Sequence, residues 1–230
     1  MIITVASNVQ GVGKTLIATN IAVLRILAGH RVRLVDITPQ QTSSSWCIER
    51  NASGIAPAVP AESVKGKLLK EEFAGICAGY NDVIIDTDWR NSTGNQAALE
   101  LSDMVVVPLL AGDDAVENLK PMIRRIKTAR RTNPNLWALV VIVRVPAALS
   151  LFQLDTIRRY IAKLPSTTLA GTVIHERDTL PAASATHLSI FEYKPADARA
   201  IAEMHDLYRA QKMRRTTLPS LSRLQRCGAS

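Results

Sequence analysis

The hydrophobic positions of this 230-residue chain alternate between short apolar runs and longer segments with helical spacing. Continuous runs such as Val105-Val106-Val107 and Leu139-Val140-Val141-Ile142 are typical of parallel strands covered by helices on both faces. The pattern predicts strands near residues 2–6, 31–36, 55–59, 82–86, 104–108, 137–143 and 168–174, and helices near 14–28, 42–50, 61–77, 93–101, 113–131, 149–163, 179–186 and 196–213. We therefore expect an α/β fold with a doubly wound, mostly parallel sheet and helices on both faces.

Length and composition fit a single domain. The full chain is 47% hydrophobic, so residues 1–213 can bury a sizeable core. Residues 214–230 are rich in Arg, Ser and Thr and are expected to form a flexible basic tail. No apolar run approaches the roughly 20 residues of a membrane span, and the chain opens on a predicted strand instead of a charged leader. We expect a cytoplasmic protein. Its three cysteines are far apart in the sequence, which favours neither a disulfide framework nor a zinc site.

A glycine-rich motif, Gly11-Val12-Gly13-Lys14-Thr15, lies between the first predicted strand and a long predicted helix. In such a loop, backbone N–H groups and the helix N-terminus converge on phosphate oxygens, the lysine neutralises β- and γ-phosphate charge, and the hydroxyl can ligate Mg²⁺. The flanking strand and helix make the motif much more specific than a bare GxGK string. The residues predicted to hold a nucleotide here are Gln10, Gly11, Val12, Gly13, Lys14, Thr15 and Leu16.

Two other predicted strands end in aspartate. The run Val83-Ile84-Ile85 leads to Asp86, the arrangement of a Walker B carboxylate that holds Mg²⁺ through water at the end of the strand. An ordinary aspartate at the end of a strand is the alternative. Asp36 ends the second strand and begins a polar loop. Because parallel strands present their carboxyl ends at one edge, we expect both aspartates beside the phosphates.

The order and spacing of these motifs resemble the ParA/MinD family of deviant-Walker P-loop ATPases. Its small plasmid-partition and T-DNA-transfer members are the most similar. The matching segments are residues 9–15, 36–40 and 84–88, with further similarity at 174–177 and 188–195. The resemblance covers roughly residues 1–210 and implies ATP and Mg²⁺ as cofactors and a homodimer. It also implies that the loop at Arg144 and Pro146 lines a purine pocket, with a plain strand-end loop as the alternative, and it places 175–178 near the base.

Four positions depart from the family pattern: Asn8 and Gln10 replace glycines, and the other two bear on catalysis. Where family members carry a lysine that reaches the partner subunit's phosphates, this chain has Val9, and where they carry an aspartate that orients the attacking water it has Thr38. Loss of a group that positions or deprotonates water lowers a rate by roughly 10²–10⁴-fold. We expect weak or absent hydrolysis unless Asp88 substitutes. The candidate catalytic residues are Lys14, Asp36 and Asp88.

The net charge of +8 is concentrated in two segments, one between Lys120 and Arg131 and one after Asp206. Arg124, Lys127 and Arg131 fall on one helical face. A solvated helix face is the alternative, but two basic segments favour DNA bound non-specifically through its phosphates. No sequence-reading motif is present. The predicted DNA contacts are Lys120, Arg124, Arg125, Lys127, Arg130, Arg131, Arg214 and Arg215.

The leading hypothesis is an ATP-binding, ParA-like switch. It would act in partition, positioning or conjugative transfer of a plasmid or similar element, associated with the nucleoid and paired with a plasmid-encoded DNA-binding adaptor. The alternative is a degenerate, hydrolysis-deficient scaffold that serves as an interaction partner of such an adaptor or of a secretion apparatus. A metabolic kinase or synthetase is less favoured, because nothing in the sequence indicates a pocket for an acceptor substrate.

Overall fold

The computed structural model describes residues 1–146 and 151–212. In chain order the elements are β1 (Ile2–Val5), α1 (Lys14–Leu27), β2 (Val32–Asp36), α2 (Thr42–Ala52), β3 (Ala61–Ser63), a 3-10 helix (Gly66–Leu68), α3 (Leu69–Cys77), β4 (Asp82–Asp86), α4 (Thr93–Leu101), β5 (Met104–Leu110), α5 (Ala115–Ala129), β6 (Trp137–Val145), α6 (Leu151–Ala162), β7 (Thr167–His175), α7 (Thr179–Ala185) and α8 (Ala198–Lys212).

The seven strands form one parallel sheet in the order β3-β2-β4-β1-β5-β6-β7. This confirms the predicted α/β fold class. The central strand β1 pairs with β4 on one side and β5 on the other, and the register places Val5 opposite Asp86. The loop that follows β1 therefore begins beside the carboxyl end of β4, where ligands bind in open α/β sheets.

Helices cover both faces of the sheet. α1, α2, α7 and α8 pack on one face, and α3, α4, α5 and α6 pack on the other. The central strands are buried on both sides, as their continuous apolar runs predict. Within α5, Met122, Ile123 and Ile126 face the sheet. Burial of such apolar helix faces against the sheet holds the strand ends, and therefore the loops that follow them, in fixed positions.

The prediction for the third strand is wrong. Residues 55–59 form no strand, and β3 lies at Ala61–Ser63, inside the segment predicted as helix 61–77. Pro57 and Pro60 have no backbone N–H to donate to a sheet. The Pro60 carbonyl still accepts from the backbone N–H of Leu34 at 2.9 Å, so pairing with β2 begins there and continues through Ala61–Ser63. The helix starts only at Leu69.

Several predicted features lie outside the described residues. The predicted start of helix 149–163 falls there, as does the basic tail at 214–230 with Arg214 and Arg215. Within the described ranges, no helix has the length and apolar character needed to cross a membrane.

Candidate functional site

The loop between β1 and α1 is shaped by two glycines. Gly11 and Gly13 have φ angles of +71° and +80°, a region that residues with a Cβ rarely adopt. Gly13 immediately precedes α1, and no side chain caps the first turn of that helix. The N-terminal N–H groups of α1 therefore point into the loop with no side-chain acceptor, as an anion site requires.

Lys14 closes this loop in the structure. Its side-chain ammonium donates to the Val9 carbonyl at 3.0 Å, and the residue is only 8% exposed. Burial lowers the pKa of Lys14, while the charges of Asp86 and Asp88 oppose that shift. A neutral carbonyl is a weak partner for a buried ammonium, so phosphate oxygens would be better acceptors.

Thr15 and Asp86 meet across the sheet edge, as the sequence predicts for a metal site. The Thr15 hydroxyl donates to Asp86 Oδ2 at 2.7 Å, and Asp86 is fully buried. Its other oxygen, Oδ1, has no hydrogen-bond partner among the described residues. Burial raises the pKa of Asp86 to about 7, and the hydroxyls of Thr15 and of nearby Ser43 oppose that shift. A buried carboxylate with an open acceptor is an unfavourable arrangement that a cation would relieve.

These donors fit Mg²⁺. Magnesium is usually held by one or two carboxylates together with phosphate oxygens and water, rather than by a cage of protein ligands. Among the described residues there is no cluster of three or more His, Cys, Asp or Glu side chains suited to a metal. Thr15 and Asp86 would thus hold the ion from the protein side, and the nucleotide phosphates would supply the remaining oxygens.

Asp36, predicted as a catalytic residue, is engaged in local structure. Its Oδ1 accepts from the Thr38 backbone N–H at 2.8 Å, and its Oδ2 accepts from the backbone and hydroxyl of Ser44 at 3.0 and 3.3 Å. The carboxylate thereby fixes the turn between β2 and α2. The Thr38 hydroxyl is buried without a partner in the described part of the chain.

Both carboxylate oxygens of Asp88 are also hydrogen-bonded. One carboxylate oxygen accepts from Arg90 Nε at 2.6 Å, and the other accepts from the Arg90 backbone N–H and the Asn95 amide. A general base needs a free lone pair directed at the water proton. In this conformation Asp88 accepts three hydrogen bonds, out of about four that a carboxylate can accept. Substitution for the missing aspartate at Thr38 would therefore require the 88–95 loop to rearrange.

Two cavities flank the glycine loop and share residues 11–13 and Leu16 in their walls. One has a volume of about 300 Å³ and lies towards the ends of β6 and β7, including Arg144 and residues 174–178. The other, of about 790 Å³, lies towards α2 and α7 and includes Lys14 and Thr15. Because they share wall residues, together they form a groove that crosses the loop.

Arg144 ties the first cavity to the glycine loop. It has a φ of +51°, and its guanidinium donates twice to Glu176, at 2.6 and 3.0 Å, and to the Gly11 carbonyl at 3.4 Å. The predicted contacts Gln10 and Pro146 are exposed and line neither cavity. The structure therefore brings Arg144 to the candidate site and leaves these two at its edge.

Sequence reasoning missed the far walls of this groove. Trp46 and Glu49 on α2 line the larger cavity, and Pro181 on α7 lines both. None of these residues has distinctive ligand chemistry, and they lie far from the motifs along the chain. Only the packing of α2 and α7 against α1 brings them to the loop.

Some of the residues predicted to contact DNA are exposed, and others are buried or bonded to other residues of the chain. Arg124, Lys127 and Arg131 are exposed along one face of α5 and the turn that follows it. Lys120 is half-buried and paired with Glu117.

The side chains of Arg130 and Arg125 are not free to contact DNA in this conformation. The Arg130 guanidinium donates to the carbonyls of Leu136, Pro165 and Ser166 at 2.7 to 3.0 Å, which joins α5 to the strand starts of β6 and β7. Arg125 is buried against the fold, with 7% exposure. The exposed basic surface is thus smaller than the sequence predicts.

Comparison with known proteins agrees with this geometry. Residues 3–190 match the family described as the CobQ/CobB/MinD/ParA nucleotide binding domain. The chromosome-partitioning ATPase Soj of Thermus thermophilus is 27% identical over 168 residues, which cover 61% of this chain and 68% of Soj.

Solved structures share the fold at lower identity. A plasmid partition protein of Borrelia burgdorferi bound to AMPPNP superposes with a TM-score of 0.69 at 20% identity, covering 92% of this chain and 99% of that chain. Cobyrinic acid a,c-diamide synthase of Mycobacterium smegmatis, with bound ADP and magnesium, gives a TM-score of 0.62 at 17% identity, covering 81% and 90%.

Proposed function

Because this chain belongs to the CobQ/CobB/MinD/ParA family of nucleotide-binding domains, we propose that it is an ATP-dependent switch. It binds MgATP at the glycine loop and acts in partition, positioning or conjugative transfer of a plasmid or similar element. Two similar proteins support this role, because Soj is a chromosome-partitioning ATPase and the Borrelia protein is a plasmid partition protein.

The observation that carries the proposal is the chemical incompleteness of the site. Asp86 is fully buried with one unpartnered oxygen beside the Thr15 hydroxyl, and Lys14 is buried against only a neutral carbonyl. Mg²⁺ would satisfy the carboxylate and phosphate oxygens would satisfy the ammonium. Asp86 and Lys14 would therefore both gain a charged partner when the metal and the triphosphate are bound together.

The switch follows from the loops that adjoin the same edge. Asp36 holds the turn that follows β2, and Asp88 holds the loop that follows β4. Contacts to a γ-phosphate can order such loops, and loss of the phosphate releases them. We infer that nucleotide biases the association of two copies of this chain through these loops.

DNA binding rests on the exposed basic face of α5. Arg124, Lys127 and Arg131 share one helical face, which suits non-specific attraction to backbone phosphates. With this function we place the protein in the cytoplasm, associated with the nucleoid, and paired with a plasmid-encoded DNA-binding adaptor.

A degenerate scaffold is the second candidate, and specific residues favour it. Val9 removes the lysine that would reach the partner's phosphates, and Thr38 replaces the aspartate that would orient water. Asp36 and Asp88, the remaining acids near the site, have both oxygens occupied. A protein of this kind keeps the fold as an interaction surface without cycling nucleotide.

Two measurements on the full chain separate these candidates. Sedimentation velocity with and without MgATP reports nucleotide-dependent association, and a phosphate-release assay with and without duplex DNA reports turnover. The switch predicts a shift towards dimer with MgATP and slow phosphate release that DNA accelerates. An unchanged sedimentation coefficient together with no release would reject the switch and favour the scaffold.

A further inference from the structure

Arg125 on α5 is a buried cation for which the fold provides no partner. It is 7% exposed, and its Nε, Nη1 and Nη2 atoms are all buried without a hydrogen bond to any described residue. A guanidinium carries its charge at every physiological pH and presents five N–H donors. Burying such a group unpaired is strongly unfavourable.

The other buried arginines in the described part of the chain are paired. Arg25 donates to Asp82 at 2.7 Å, and Arg50 donates to Glu192 at 2.6 Å. The fold therefore supplies a carboxylate where an arginine serves packing alone. Arg125 differs from both, which indicates that its partner is not part of the fold.

A cavity of about 500 Å³ adjoins this side chain. Its walls include Asn8 from the glycine loop, Ser92 and Thr93 at the start of α4, and Arg125. No Asp or Glu lines it among the described residues, and it shares no wall residue with the two cavities that flank the glycine loop. The cavity is thus lined by basic and neutral side chains and shares no wall with the nucleotide groove, although the charge of Arg125 still reaches the groove and adds to burial in lowering the pKa of Lys14.

The N-terminus of α4 opens on the same cavity. Ser92 caps the nine-residue helix by accepting from the Asn95 backbone N–H at 3.1 Å, and Thr93 is the first helical residue. A helix N-terminus adds the positive end of its dipole and free N–H groups to an anion site. Two independent features therefore favour negative charge at one place.

Asp88 is the nearby acid that acts on Arg125, but it does not neutralise it. Burial lowers the pKa of Arg125, and the Asp88 charge only partly opposes this. Both Asp88 oxygens already accept hydrogen bonds from Arg90 or Asn95, and no ion pair joins Asp88 to Arg125. The hydrogen-bonding donors of Arg125 therefore have no acceptor among the described residues.

We propose that this cavity, here called the Arg125 cavity, is a second anion site that binds a phosphate group. Arg125 would donate its planar fork to two phosphate oxygens, with the start of α4 completing the site. The guanidinium nitrogens are covered in the structure, so binding requires the side chain to rotate into the cavity that it lines. This inference does not depend on nucleotide binding at the glycine loop.

The phosphate has two available sources. One is free inorganic phosphate. The other is a phosphodiester of duplex DNA, because the exposed Arg124 lies in the cavity wall and belongs to the basic face of α5. The shared chemistry is a tetrahedral phosphate oxyanion, and the experiment below distinguishes the sources.

The test compares Arg125→Gln with Lys127→Gln, a matched loss of one charge on the same helix outside the cavity wall. Inorganic phosphate is titrated at constant ionic strength and followed by ³¹P line broadening. We expect at least tenfold weaker binding in Arg125→Gln and less than a twofold change in Lys127→Gln. The difference should persist in a Lys14→Ala background, which disables the glycine loop. Equal affinities, or a difference that disappears in that background, would overturn the separate site.

Titration of a fluorescent ATP analogue into the same variants measures nucleotide binding separately from phosphate binding. Its affinity should stay within twofold in Arg125→Gln, and loss of ATP binding there would assign Arg125 to the nucleotide groove instead. Should the wild-type chain bind phosphate but no nucleotide, the proposed switch fails and the second site stands.

Thr128→Glu provides an independent variant if Arg125→Gln does not fold. Thr128 is exposed and lines the cavity, so the added carboxylate should pair with the arginine and weaken phosphate binding at least tenfold. Unchanged binding would contradict the site. For the DNA source, we expect duplex affinity to fall further in Arg125→Gln than in Lys127→Gln. Equal losses would assign the site to free phosphate.

Discussion

Replacing Lys14 with alanine should remove nucleotide binding while leaving the fold intact. In the structure the ammonium is buried and donates only to the Val9 carbonyl at 3.0 Å. Contacts to β- and γ-phosphate oxygens would replace this one with two charge-assisted hydrogen bonds, worth about 1.5–3 kcal/mol each against about 1 kcal/mol for the bond given up. The net loss on substitution is therefore about 2–5 kcal/mol, or at least roughly 30-fold in affinity.

Isothermal titration calorimetry with MgATP measures this loss directly. We expect binding in the micromolar range for the wild-type chain and no measurable heat of binding for Lys14→Ala. The matched control is Lys70→Ala, an exposed lysine paired with Glu100 outside both cavities, which should bind normally. Burial lowers the pKa of Lys14, which shows that the charged ammonium is unfavourable in the folded chain. Removing it in Lys14→Ala should therefore not lower the free energy of unfolding. Equal affinity in the wild type and Lys14→Ala would refute the role given to the glycine loop.

Two further predictions concern the basic face and the support of the groove. Charge reversal at Arg124, Lys127 and Arg131 should weaken binding to duplex DNA. Each lost phosphate contact reduces the slope of log affinity against log salt concentration by roughly 0.9, so three lost contacts reduce it by about 3. An unchanged slope, measured by fluorescence anisotropy, would exclude this face. Glu192→Gln should destabilise the chain by about 3 kcal/mol at pH 7, because it leaves the fully buried Arg50 without its carboxylate. Although burial opposes the shift, Arg50 holds the pKa of Glu192 below its ordinary 4.5, so this stabilisation should be present above pH 4.5 and lost as pH falls through the folded-state pKa. A urea-unfolding difference that stays constant down to pH 3 would contradict it.

The sequence is most informative where one physical constraint determines both pattern and structure. Strands buried on both faces must be apolar throughout, so β1, β4 and β5 are visible as continuous runs. Parallel strands gather their carboxyl ends, and for that reason the contact between Thr15 and Asp86 follows from two motifs 71 residues apart. The edge strand β3 makes only three pairings with β2 and has no such signal.

Side-chain partners are much harder to predict than elements. The sequence does not show that the carboxylates of Asp36 and Asp88 accept hydrogen bonds from neighbouring loop residues, because those bonds depend on the conformation of the loops. Arg125 did carry a usable signal. It lies three residues after Met122, which places it with the buried stripe of α5 rather than with the exposed face.

A crystal structure of the chain with Mg²⁺ and AMPPNP tests the nucleotide site most directly. We expect the Lys14 ammonium to leave the Val9 carbonyl for the phosphates, and the metal to lie between the Thr15 hydroxyl, the Asp86 carboxylate and phosphate oxygens. An empty glycine loop at saturating nucleotide, with Lys14 still bonded to Val9, would contradict the proposed function.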